Sequence, residues 1–181
     1  MGRSQAMFLL RIKWPLLSTL AGRSGGPPAR NNVVLVTSAE PSEGKSYASL
    51  NLALSIVRDR EMRVILVDGD VALPGVTPTL GLEGAPGLND VLDDATMDVN
   101  DVIYRTTVDG LFFVPAGKWH DHSPELIAGS RMAQVIQQLG ERVRAAELGL
   151  PIGADHEQRR GPRRAGHVTE QRERRGVRPV E

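Results

Sequence analysis

The chain of 181 residues contains no cysteine, few aromatic residues and no long hydrophobic run. The absence of cysteine excludes disulfide scaffolds, thiolate metal sites and cysteine nucleophiles, and it fits a reducing compartment. No stretch approaches the ~20 apolar residues that a membrane-spanning helix needs. Arg11 and Lys13 interrupt the apolar start of the chain, which argues against a signal peptide. These absences predict a cytoplasmic protein.

A net charge is also absent, because 22 basic residues balance 22 acidic ones. This balance argues against dedicated nucleic-acid binding, so no nucleic-acid partner is expected. The balance is uneven along the chain: residues 1–140 carry 12 basic and 15 acidic groups, whereas residues 141–181 carry 10 and 7. The second segment is arginine-rich, polar and without aromatics, so it lacks the apolar surface to build a core. We expect it to be a disordered tail.

Strand and helix patterns alternate between residues 31 and 140, after a lead-in and linker at 1–30. Short apolar runs typical of strands covered on both faces occupy 33–37, 64–67 and 111–114. Helical patterns occupy 45–60, 88–93 and 123–140. This order predicts an α/β fold in which helices flank a parallel sheet.

A phosphate-binding loop is the first candidate site. Residues 33–46, VVLVTSAEPSEGKS, place Gly44, Lys45 and Ser46 between a buried strand and a helix. In such a loop, backbone N–H groups face nucleotide phosphates, the lysine reaches the β- and γ-phosphates, and the serine hydroxyl binds Mg²⁺. Ala39 stands where the usual pattern has its first glycine. The alternative is a chance turn before a helix.

A pair of aspartates is the second candidate site. Asp68 and Asp70 follow the apolar run 64–67, at the sheet edge where ligands bind in open α/β folds. Both carboxylates can point into one site, one holding Mg²⁺ through water and the other orienting a nucleophile. The alternative is an ordinary polar turn at the end of a strand.

The pairing of VTSAEPSEGKS with VILVDGD resembles the bacterial tyrosine kinases of exopolysaccharide and capsule assembly systems, which are relatives of the partition and septum-site P-loop ATPases. Within that family it is most similar to the soluble kinases encoded beside exosortase-linked polysaccharide genes. Further matching segments are RIKWPLL (11–17), GLNDVL (87–92), LFFVPAGK (111–118) and SPELIAGSRM (123–132).

The resemblance implies an ATP-dependent protein-tyrosine kinase with ATP and Mg²⁺ as cofactors. Lys45 would contact the β- and γ-phosphates, and Ser46 would ligate Mg²⁺. Asp68 and Asp70 would help to hold Mg²⁺ and to activate the attacking tyrosine hydroxyl. The ATP-binding residues would be Ser42, Glu43, Gly44, Lys45, Ser46 and Tyr47. A membrane protein that sets polysaccharide chain length and export would be the partner, with a peripheral place at the inner membrane.

Several departures from the family pattern weaken the expectation of activity. Ser42 replaces a glycine, and the lead-in lacks the glutamate of the oligomerisation motif, which puts a homo-oligomeric ring in doubt. Residues 141–181 lack the expected apolar strand with its third aspartate, and they contain no tyrosine. That strand would lie in the middle of the sheet, so its absence should expose two sheet edges. We hypothesise a frameshift after codon 140, leaving an incomplete fold without activity.

Two other interpretations of the whole chain stay open. One is a non-catalytic nucleotide- or partner-binding fragment, and the other is a partition- or septum-type ATPase. Glu40 argues against the latter, because it stands where those ATPases carry a signature lysine. His120 and His122 beside Asp121 could suggest a metal pair, but we favour a polar loop because no third ligand is evident. We expect Tyr47 to be buried on the first helix.

Overall fold

A computed structural model describes residues 13, 15–16, 32–40, 42–58 and 62–153 of the chain. The helices in chain order are α1 (Lys45–Val57), α2 (Val76–Thr79), α3 (Leu88–Asp93), a 3-10 helix (Val99–Val102), α4 (Ser123–Ala128) and α5 (Ser130–Glu147). The strands are β1 (Val64–Val67), β2 (Tyr104–Arg105) and β3 (Leu111–Val114).

The three strands form one sheet in the order β1–β3–β2. β1 and β3 are parallel, with Val64 opposite Leu111 and Val67 opposite Val114. This pairing confirms the two predicted strands and their parallel arrangement. β2 adds an antiparallel pair at the other side of β3, and its two residues are too few to leave a periodic signal in the sequence.

Helices cover β1 on both faces, as its uninterrupted apolar sequence predicts. Ile65 and Val67 pack against the larger core cluster, which α3, α5 and β3 help to form. Val64 and Leu66 pack against the smaller cluster, together with Ala53 of α1. The lead-in touches α1 as well, because buried Lys13 donates from Nζ to the Ser55 carbonyl oxygen at 2.7 Å.

The helix expected at 123–140 differs from the prediction at two points. Gly129 is extended (φ −75°, ψ 162°) and separates α4 from α5. α5 then continues to Glu147, and Gly149 (φ 81°) ends it by donating to the Ala146 carbonyl oxygen.

Residues beyond 140 also contribute to the core. The turn after α5 directs Ile152 into the larger cluster, where it is 2% exposed. Residues 141–153 are therefore ordered parts of the fold, contrary to the tail predicted from residue 141. The sequence pattern missed them because the apolar positions that anchor them are few and widely spaced. Residues 154–181 lie outside the described residues, and the three-part domain division stays a prediction.

The buried strand predicted at 33–37 is wrong. These residues carry no strand pairing, and Val33, Val34 and Leu35 are 48%, 41% and 86% exposed. An apolar run becomes a buried strand only when a neighbouring strand satisfies its backbone groups. In the described part of the chain, β1 is the end of the sheet, and the run does not pair with it.

None of the helices in the described ranges has the length and apolarity that crossing a bilayer requires.

Candidate functional site

The start of α1 is the core of the candidate site. Gly44 precedes the helix in the left-handed conformation (φ 89°) and offers no side-chain cap. The first N–H groups of a helix have no partner within it, and the helix dipole adds partial positive charge there. The 13-residue helix α1 thus begins with an environment that suits an anion such as a phosphate.

Ser42 adopts the left-handed conformation as well (φ 65°). The family resemblance predicts a glycine at this position. The positive φ of Ser42 explains why, because glycine adopts this conformation without steric cost. A residue with a Cβ atom in this conformation costs roughly 1 kcal/mol relative to a relaxed backbone. The loop therefore keeps its turn at the expense of some local strain.

The side chain of Glu43 accepts hydrogen bonds from the loop residues that precede it. Its Oε2 atom accepts hydrogen bonds from the backbone N–H groups of Ala39 (2.9 Å) and Glu40 (3.2 Å). A carboxylate thus occupies two amide donors in the loop that leads to the helix. This negative charge lies in the loop that the sequence predicts to bind the phosphates of a nucleotide.

Lys45 and Asp70 join the two predicted motifs. The Lys45 Nζ atom lies 2.6 Å from Asp70 Oδ2, and each side chain is about one third exposed. The hydrogen bond from Lys45 holds the pKa of Asp70 below its ordinary value, and the backbone N–H of Leu73 assists at 3.2 Å. Two segments 25 residues apart in sequence therefore meet at one edge of the sheet.

Asp68 has a different environment and is 5% exposed. Its Oδ2 atom accepts from the Val76 N–H (3.0 Å), the Thr77 N–H (2.8 Å) and the Thr77 hydroxyl (2.9 Å). The Thr77 Oγ1 atom in turn accepts from the Ala116 N–H at 3.0 Å. Asp68 thus ties the start of α2 to the ends of β1 and β3, whereas Asp70 faces Lys45.

Comparison with known proteins gives three informative relatives, although no family model matches. The tyrosine-protein kinase ptk of Acinetobacter johnsonii is 30% identical over 114 residues, 63% of this chain and 15% of that protein. The VpsO kinase domain superposes with a TM-score of 0.56 at 27% identity, covering 78% of this chain and 68% of that one. The BceF tyrosine kinase domain gives 0.50 at 31% identity, covering 56% and 39%. In sequence and fold, this chain is similar to bacterial tyrosine-kinase domains.

These similarities confirm the predicted P-loop-type α/β fold. They concern a part of the relatives only, because the matched region amounts to 15% of the full length of ptk. The similarity to tyrosine kinases therefore describes the sequence and the fold of this chain, and its activity is a separate question.

Ser46, in the loop that resembles those of the tyrosine kinases, lies against the start of α2. A Cβ atom at Gly75 would overlap the Ser46 hydroxyl, so this glycine allows the two helix starts to approach closely. The sequence interpretation missed both Gly75 and Thr77. A glycine and a hydroxyl residue at the start of a short helix were the available signal, but their contacts depend on the fold.

The other two residue-level expectations have different outcomes. Tyr47 is 51% exposed on α1, so its predicted burial is wrong. The His120 and His122 rings stack with centroids 5.4 Å apart, and His122 Nε2 lies 2.9 Å from Asp93 Oδ1. Within the described ranges, no three His, Cys, Asp or Glu side chains lie close enough together to hold a metal ion.

Two of the segments that carry the sequence resemblance contact each other beside the site. The Leu88 and Asn89 N–H groups donate to the Pro115 and Ala116 carbonyl oxygens at 2.8 and 2.9 Å. Asp90 Oδ2 accepts from the N–H of Gly87 (2.8 Å) and of Lys118 (3.1 Å). The segments 87–92 and 111–118 are therefore in contact because α3 begins on the loop that follows β3.

Proposed function

We propose that this chain is an ATP-binding unit of the protein-tyrosine-kinase type, acting in an exopolysaccharide biosynthesis and export system. The observation that carries the proposal is the Lys45–Asp70 contact of 2.6 Å at the start of α1. It supports a site in which a lysine, a carboxylate and free helix amides converge. An export protein as membrane partner, and with it a peripheral place at the inner membrane, belongs to the same proposal through the family context.

The residues present fit a magnesium nucleotide. Mg²⁺ prefers oxygen ligands and is usually held by one or two carboxylates together with substrate phosphates. The Ser46 hydroxyl and the Asp70 carboxylate would supply such oxygens, while Asp68 has one oxygen engaged by three donors and would act by fixing α2. Lys45 would bind the β- and γ-phosphates, and residues 42–47 would wrap around them.

We further propose that this chain binds Mg·ATP weakly and transfers no phosphoryl group. ATP would have to displace Asp70 from Lys45 and compete with the Glu43 carboxylate for loop amides. The run that leads into the loop is exposed and unpaired, so the loop is not preorganised for its ligand. The exposed run also favours the second candidate, a non-catalytic nucleotide- or partner-binding unit.

The test is a calorimetric titration of the chain with ATP and Mg²⁺, together with an assay for phosphotyrosine. We expect a dissociation constant of about 0.1–1 mM for the wild type and no phosphotransfer. Lys45→Ala should abolish the binding. Arg144→Ala is the matched control, because it removes one exposed positive charge from the last turn of α5.

Each outcome decides one part of the proposal. Equal binding by the wild type and Lys45→Ala would overturn the nucleotide site. Autophosphorylation that disappears in Lys45→Ala would show an active kinase and would overturn the proposed inactivity. Weak binding without phosphotransfer, lost in Lys45→Ala and kept in Arg144→Ala, would support both parts.

A further inference from the structure

Among the residues that the structure describes, the outer edge of β1 has no paired strand. The N–H groups of Val64 and Asp68 donate to Gly110 and Val114 across the sheet at 2.9 and 3.0 Å. Because backbone groups alternate in direction along a strand, the N–H and C=O groups of Ile65 and Val67 point to the opposite edge. Among the described elements no strand pairs with that edge. It presents two donors and two acceptors in the spacing of a β-ladder.

β1 lacks the features that protect natural edge strands. Such strands usually carry a charge, a proline or a bulge, or are covered by another element. The sequence Val64–Val67 is VILV, and in the described part of the chain helices cover its faces, whereas no strand covers its edge. β1 therefore has the composition of an interior strand at a place where the sheet ends.

The same chain carries a segment suited to that edge. Val33, Val34, Leu35 and Val36 form an uncharged apolar run of the same length as β1, and the first three are largely exposed. Within the described part of the chain, the run makes no backbone–backbone hydrogen bond. Among the described residues, no strand pairs with its backbone groups or covers its apolar side chains.

The run is anchored on both sides without pairing to its own β1. The Asn32 side chain donates to the Gly140 carbonyl oxygen of α5 at 3.3 Å, just before the run. The loop that follows is closed by Glu43 and by the Lys45–Asp70 contact. The run therefore lies exposed on the surface rather than paired with the sheet.

We propose that two copies of this chain associate by strand addition, the run 33–36 of each copy pairing with the open β1 edge of the other. Each chain carries both the run 33–36 and the unpaired edge of β1, so a two-fold symmetric dimer would form two strand pairs at once. Neither the run nor β1 carries a charge that would oppose this pairing. The contact would also remove Leu35, 86% exposed, from water. This inference does not depend on nucleotide binding.

Sedimentation velocity at protein concentrations of about 1–100 µM tests the proposal, because transient dimers dissociate in this range. We expect a monomer–dimer equilibrium for the wild type. Leu35→Lys should weaken dimerisation about tenfold or more, because it places a charge in the apolar contact. Leu148→Lys is the matched control: this leucine is 83% exposed and lies just after α5, so the dimer should be unchanged.

Amide hydrogen exchange at single-residue resolution supplies the second measurement. In the dimer, the amides of Ile65 and Val67 should become protected as the protein concentration rises. Leu35→Pro, which removes one backbone donor without adding charge, should abolish this protection, and circular dichroism should show that each variant is folded.

Three results would overturn strand addition between copies. The first is a wild type that stays monomeric throughout the concentration range, whether or not those amides are protected. The second is a dimer that Leu35→Lys leaves intact. The third is an equal loss of association in Leu35→Lys and Leu148→Lys, which would indicate general hydrophobic aggregation.

Discussion

At the scale of single residues, the Lys45–Asp70 ion pair explains how the two motifs depend on each other. Each side chain is about one third exposed, so solvent screens the attraction and the pair stabilises the fold by less than ~1 kcal/mol. A nucleotide would take Lys45 from Asp70 and leave that carboxylate free for a cation. The pair therefore contributes little to the stability of the fold, and a bound nucleotide would have to replace it.

The lowered pKa of Asp70 gives a prediction about pH. Its ordinary value is 3.8, and the Lys45 hydrogen bond lowers the pKa in the folded state. A group with a lowered folded pKa contributes stability above its unfolded pKa, and that contribution disappears as the pH falls through the folded pKa. In Lys45→Ala, we expect the pKa of Asp70 to rise towards 3.8 and the small stability difference from the wild type, present at pH 7, to vanish in acid.

Carboxyl NMR titration and urea unfolding at several pH values would measure both effects. Arg144→Ala should leave the Asp70 titration as it is in the wild type. An unchanged Asp70 pKa in Lys45→Ala would show that the ion pair does not exist in solution.

The sequence could identify Lys45 and Asp70 because both belong to short motifs with a defined chemistry. It could not predict that Asp68 accepts hydrogen bonds from the start of α2. That contact depends on Thr77 and on the Ala116 amide, which lies 39 residues beyond Thr77 in the chain. The sequence could not predict the exposure of Tyr47 either, because the stripe of apolar residues on α1 is too broad to show which side of the helix faces the sheet.

At the scale of elements, β1, β3 and α3 were predictable because each is a short apolar segment bounded by turn residues. The run 33–37 has the same appearance and is not a strand. Its state depends on whether another strand lies beside it, and no local pattern encodes that. The expectation that an absent strand leaves two sheet edges exposed stays a prediction.

The contact between α3 and the loop after β3 gives a prediction at this scale. A Cβ atom at Gly87 would overlap the Pro115 carbonyl oxygen, which also accepts the Leu88 N–H. Gly87→Ala should therefore push α3 away from the loop and lower the free energy of unfolding by about 2–4 kcal/mol, measured in urea. Gly69→Ala is the control, because a Cβ there meets nothing within 4 Å and should change stability by less than ~0.5 kcal/mol. Equal effects of the two substitutions would mean that the helix tolerates movement at this contact.

At the scale of the whole molecule, the neutral charge conceals two unlike segments, and the structure moves the boundary between them. The positive segment begins at residue 141 by composition, yet the helix that crosses this point is continuous to Glu147. Composition averages over many residues, whereas one buried side chain is enough to fix a turn. The fold therefore extends at least to the residues that pack Ile152 into the core.

Ile152 tests whether residues beyond α5 belong to the same cooperative unit. It is 2% exposed in the larger core cluster, so Ile152→Ala should leave a cavity and lower the free energy of unfolding by about 2–4 kcal/mol. Leu150→Ala is the matched control, because Leu150 is 58% exposed in the same turn and should change stability by less than ~0.5 kcal/mol. Urea unfolding followed by circular dichroism would measure both. If Ile152→Ala unfolds like the wild type, the turn detaches before the core does, and the domain ends with α5.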